Sequence, residues 1–92
     1  MKIKIKYTAQ LKSEAGKTAQ EYEVKNGESI TELMANVAEQ HSQKFRTILF
    51  DEKGQFRPSM LIAYNGNRIS PATSPEWKEN DEITLMSPIA GG

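Results

Sequence analysis

The chain has no cysteine and a single histidine, His41. Without cysteine there is no disulfide, and the fold must stand on its core alone. Zinc sites of the Cys or Cys/His type, a cysteine nucleophile and a redox dithiol are excluded as well. A Ser-His-Asp triad would have to use His41, and no serine stands in a nucleophile-elbow pattern. An excess of one charge is also missing: twelve Lys and Arg balance twelve Asp and Glu. A dedicated nucleic-acid binder needs surplus positive charge, so no nucleic-acid partner is expected. No apolar run approaches the roughly 18 residues of a membrane span. The first six residues alternate lysine and aliphatic where a signal peptide would be continuously apolar. A soluble, cytoplasmic chain with no membrane partner is the expectation. At 92 residues it has room for one domain.

What is present is periodicity. Ile3, Ile5 and Tyr7 alternate with Lys2, Lys4 and Lys6, which predicts a half-buried strand over 2–8. Residues 10–17, with Gly16, read as a turn. A second strand is expected over 18–25, with Tyr22 and Val24 inward. Ser29 followed by Glu32 is a capping-box signature, and Ile30, Leu33, Met34, Val37, Ala38 and His41 keep helical spacing. A helix over 29–41 follows, then a short helix or turn over 43–50 carrying Phe45, Ile48 and Leu49. Residues 51–58 read as a polar connection. Residues 60–64 form a compact apolar strand, and Asn65-Gly66 is the preferred pair for a type I′ hairpin turn leading to a strand over 67–70. Residues 71–80 read as irregular, and a last strand covers 82–87 before Pro88 stops it. Helices grouped inside an otherwise β chain predict an α+β layer, with the helix covering one sheet face.

Few residues invite chemistry. His41 lies on the apolar helix stripe and reads as a core-covering residue favoured, when charged, by the helix C-terminal dipole. Gly27, Gly54 and Gly66 are isolated and form no phosphate cradle. Asp51-Glu52 and Asp81-Glu82 read as solvated turn residues. The lysines of the first strand make a solvent face or a dock for an acidic surface. No catalytic side chain and no metal ligand set is expected. The C-terminus is different. Ser87-Pro88-Ile89-Ala90-Gly91-Gly92 ends without side chains after a residue that stops the strand. Such an end lets a terminal carboxylate enter a channel that a Cβ would block.

At this point the chain resembles the small sulfur carriers of the ubiquitin-like β-grasp superfamily, of the MoaD/ThiS type. The likeness is sharpest over residues 81–92, an acidic turn, a strand, a Pro-containing spacer and Gly-Gly. It extends to Ala63-Tyr64-Asn65-Gly66, and Ala9-Gln10-Leu11 is similar to the small subunit of molybdopterin synthase. Departures are Ser87-Pro88 in place of two prolines and Leu85-Met86 in place of aromatics. The resemblance implies a β-grasp fold: a mixed four- to five-stranded sheet on one main helix over 1–88, with a flexible tail over 89–92. It implies that the chain is a carrier cosubstrate with no bound cofactor and no catalysis of its own. An E1-like adenylyltransferase of the MoeB/ThiF type would use ATP and magnesium to adenylate Gly92. Sulfur would then replace AMP to leave a thiocarboxylate. Gly91, Ala90, Ile89 and Pro88 would insert into a synthase large subunit of the MoaE type, or another sulfur-accepting enzyme. Met86, Tyr64 and Arg68 are the candidate partner-binding residues. The Pro-Ile-Ala-Gly-Gly end favours molybdopterin synthesis. Carriers for cysteine or thiamine synthesis, and a ubiquitin-like modifier conjugated through Gly92, are the alternatives.

Overall fold

A strand that is lysine on one side and aliphatic on the other needs a cover for one face only, and the rest of the chain supplies it. The computed structural model describes residues 1–86. In chain order the elements are β1 (Lys2–Tyr7), α1 (Ala9–Ala15), β2 (Ala19–Glu23), α2 (Ile30–Glu39), α3 (Gln43–Leu49), β3 (Leu61–Tyr64), β4 (Asn67–Ile69) and β5 (Glu82–Met86). The strands form one sheet in the order β2-β1-β5-β3-β4. β1 and β5 pair in parallel at its centre, and the other three pairings are antiparallel. This is the β-grasp, ubiquitin-like fold.

The core lies between the sheet and the helices. Ile3, Ile5, Tyr7, Ile62, Ile83 and Leu85 come from the strands, and Ile30, Leu33, Met34, Val37 and Ala38 from α2. Each fully buried Ile or Leu contributes roughly 1.5–3 kcal/mol of apolar transfer. The capping box forms as the spacing predicts: Ser29 Oγ accepts from the Glu32 amide and Glu32 Oε1 accepts from the Ser29 amide, both at 3.1 Å. The hairpin turn also forms, with Asn65 at φ 49° and Gly66 at φ 86°, the two positive angles a type I′ turn requires.

Several expectations need correction. Residues 10–17 are not a turn: α1 occupies most of them and buries Leu11 completely. With one buried residue, Leu11, and otherwise only Ala9 and Ala15 apolar in seven, the helix has no period to read. The helix expected over 29–41 ends at Glu39, which leaves His41 beyond it. The irregular stretch over 71–80 is anchored, because Trp77 is buried and its Nε1 donates to the Glu28 carbonyl at 2.8 Å. Asp81 is not solvated. It is 7% exposed.

Candidate functional site: the open sheet face and the two ends of β5

Alternation assigns every strand residue to one of two faces. Ile83 and Leu85 of β5 point to the helices, so Glu82, Thr84 and Met86 point to the open face. The register then builds a patch around them. Met86 pairs with Leu61, Thr84 with Ala63 and Lys6, and Ala63 with Arg68. Leu61, Ala63, Thr84 and Met86 are half-buried, flanked by exposed Lys6 and Arg68. Lys6 Nζ reaches Glu82 Oε1 at 3.0 Å, an exposed pair worth up to about 1 kcal/mol. A surface groove of about 420 Å³ continues this face past Leu61 and Arg68 to the edge at β4.

Of the three side chains expected to bind a partner, the structure brings two together. Met86 and Arg68 share the open face. Tyr64 lies on the other face, two positions along from buried Ile62. Its ring packs edge-on against Trp77 at 5.7 Å, and its hydroxyl donates to Asp81 Oδ2 at 2.5 Å. Burial and the Asp81 carboxylate together push the Tyr64 hydroxyl up to about 12.

Asp81 is the centre of a latch that sequence reasoning missed. Its carboxylate accepts from Tyr64, from Asn65 Nδ2 at 3.0 Å and from the Lys78 amide at 2.8 Å. Burial raises its pKa, but these donors outweigh burial and hold the carboxyl below its ordinary value. Asn65 completes the latch: its Oδ1 accepts from the Glu82 amide, and its own amide donates to the Glu82 carbonyl, both at 2.8 Å. The entry of β5 is therefore tied to the hairpin turn by side chains as well as by the sheet. The Asn-Gly pair was the readable signal for the turn, whereas nothing in the sequence paired it with residue 81.

His41 stacks on Phe45 at 4.3 Å between ring centroids, and its Nε2 lies 2.9 Å from Gln20 Oε1. Burial, with a smaller push from Lys17, lowers its pKa. It covers the core as expected, but it lies beyond the end of α2, in a setting that disfavours the charged ring. Among the described residues no three His, Asp or Glu side chains cluster to hold a metal ion. No helix among them is long and apolar enough to cross a membrane. Pro88, Ile89, Ala90, Gly91 and Gly92 lie outside the described residues, as does the expected boundary at residue 88.

A partly apolar sheet face thus lies beside the end of a central strand. The sequence profile of the ThiS family matches residues 5–92. The chain belongs to the ThiS family. Its members are small ubiquitin-like carrier proteins and not catalysts. Among solved structures, the chain is similar to SAMP1 from Haloferax volcanii, with a TM-score of 0.87, 18% identity and full coverage of both chains. It is similar to a putative molybdopterin converting factor, subunit 1, from Pyrococcus furiosus. That match has a TM-score of 0.74 and 28% identity over 97% of this chain and 99% of the other. It is also similar to the small archaeal modifier protein SAMP1 from Methanosarcina acetivorans, at TM-score 0.76 and 25% identity over 99% and 96%. No curated protein matches the sequence.

Proposed function

We propose that this ThiS-family chain carries sulfur as a thiocarboxylate on Gly92 and donates it in molybdopterin synthesis. The observation that carries the reading is that the family match runs through residue 92 and so takes in the Gly-Gly end, on a chain without cysteine. The 28% identity with the Pyrococcus furiosus subunit supports the choice of pathway.

The chemistry suits such an end. A carboxylate is a poor electrophile, so an E1-like enzyme joins it to AMP from magnesium-bound ATP and releases pyrophosphate. Sulfide then attacks the acyl carbon and AMP departs. A persulfide donor reaches the same product with a thiol to reduce the intermediate acyl disulfide. The thiocarboxylate holds its negative charge on a polarizable sulfur and is nucleophilic at neutral pH. No thiol in the carrier competes for the sulfur. The open face, with Met86, Leu61 and Arg68, docks the activating enzyme and then the sulfur-accepting synthase subunit. Pro88, Ile89, Ala90, Gly91 and Gly92 enter their active sites. Met suits a surface that must fit two partners.

The test is intact-mass analysis after incubation with an E1-like enzyme, ATP, magnesium and sulfide. The mass gain of one oxygen-to-sulfur exchange is expected, lost on deletion of Gly92. Feeding the product to a molybdopterin synthase large subunit should yield molybdopterin, whereas transfer only to a cysteine or thiamine acceptor moves the carrier to that pathway. The 25% identity with a small archaeal modifier favours a second reading, conjugation through Gly92 to lysines. A branched Gly-Gly remnant on other proteins recovered from cells would establish it.

A further inference from the structure

Each of the helices α1, α2 and α3 starts with a hydroxyl residue at its N-cap, and two of the three use it in the ordinary way. Ser29 accepts from the Glu32 amide and Ser42 from the Phe45 amide. Thr8, the cap of α1, makes no such bond. Its Oγ1 instead donates to the carbonyl of Leu85 at 2.9 Å, a contact 77 positions away in sequence.

The register explains what that bond replaces. The Lys4 amide donates to the Asp81 carbonyl, so alternate residues of β1 carry the rungs of the parallel ladder. Counting on through Lys6, the next rung belongs to Thr8 and the Leu85 carbonyl. At that point β1 leaves the sheet: Ala9 takes a left-handed φ of 49°, and α1 begins. The chain turns away, and the hydroxyl, one side chain longer than the amide, keeps hold of the carbonyl that the backbone gives up. Leu85 is the penultimate described residue of β5, and its carbonyl belongs to the peptide that joins it to Met86.

We propose that Thr8 is a positioning residue. It closes the β1–β5 ladder at Leu85 and fixes the orientation of the Leu85–Met86 peptide, from which residues 87–92 follow. The consequence for chemistry rests on the carrier reading: a terminal carboxylate aimed at a narrow active site depends on the direction in which its strand ends. Thr8 touches neither substrate nor reacting atom, so its effect belongs to kcat of the activation step and not to docking.

The experiment uses the full chain as wild type, Thr8→Val and Thr8→Ser. Valine keeps the shape and loses the donor, while serine keeps the donor. The first measurement is independent of any carrier role: N–H residual dipolar couplings and amide exchange along β1 and β5. Thr8→Val should shift the Met86 coupling, with the couplings of residues 3–6 and 82–84 unmoved, and speed Met86 exchange at least tenfold and by more than it speeds theirs, and Thr8→Ser should restore both. A Met86 amide that behaves as wild type in Thr8→Val overturns the proposal. The second measurement is pyrophosphate release by an E1-like adenylating enzyme with ATP and magnesium. A several-fold lower kcat at unchanged KM in Thr8→Val, restored by serine, is expected. An unchanged kcat, or a change confined to KM, overturns the positioning role. A wild-type chain that is never adenylated sinks the carrier reading instead, and the couplings still decide the clamp.

Discussion

β5 is held very differently at its two ends. At its entry, Asp81 takes three donors in a part-buried corner where Trp77 packs on Tyr64, and Asn65 at the surface adds two bonds to Glu82. At its exit, one hydroxyl, that of Thr8, holds the Leu85 carbonyl. The two ends of one strand thus divide two tasks. The entry fixes where the strand lies, through a network in which each donor supports the others. The exit fixes only where the strand points, and leaves the open face around Met86 uncovered for a partner.

The largest expected effect breaks the entry. Asp81→Ala leaves the Lys78 amide without its acceptor and the Tyr64 hydroxyl with only the Glu76 carbonyl at 3.4 Å, and should cost about 3 kcal/mol in denaturant unfolding. The same latch has a pH signature. A carboxyl held below its ordinary 3.8 stabilises the fold above that pH and loses the contribution as pH falls through the depressed value. Wild-type Tm should therefore drop more steeply below about pH 4 than that of Asp81→Asn. A Tm profile of the same shape in both would mean the charge on Asp81 carries no weight. Next comes Met86→Asp on the open face. It should weaken binding to the activating enzyme about tenfold, or about 1.4 kcal/mol, with little change in unfolding. Equal binding would place the dock elsewhere. At the exit, Thr8→Val should cost about 1 kcal/mol of stability, well under the Asp81 effect. A loss as large as that of Asp81→Ala would erase the contrast between the ends. The smallest effect is at the Lys6–Glu82 pair, where Lys6→Ala should change stability by less than about 0.5 kcal/mol, fading further in salt.

Local patterns were legible, and contacts between distant segments were not. β1 alternates, α2 carries its own capping box, and Asn65-Gly66 declares its turn, so each can be read from a few neighbouring residues. Strand pairing across the middle of the chain came from resemblance and not from periodicity. α1 escaped because seven residues with one buried leucine have no period. Asp81 escaped because its partners, Tyr64 and Asn65, are sixteen or more positions away. Thr8 escaped because it reads as the last residue of the first strand, on the lysine side, and its acceptor lies at the other end of the chain. Tyr64 was placed with the partner-binding residues for its position on the hairpin, but its parity with Ile62 already put it on the covered side.

The hairpin turn bears on how the molecule ages. Asn-Gly is the dipeptide most prone to deamidation, since the glycine amide nitrogen meets little hindrance in attacking the asparagine side-chain carbonyl. In the folded chain both ends of the Asn65 side-chain amide are engaged, with Glu82 and with Asp81. Asn26-Gly27 is the same pair in an exposed turn, a control within the same molecule. Deamidation at residue 65 therefore requires the latch to open first, and it sets a second carboxylate against Asp81 that keeps the latch from closing again. The ratio of deamidation at 65 to that at 26 is a chemical clock of how long each molecule has spent with β5 unlatched.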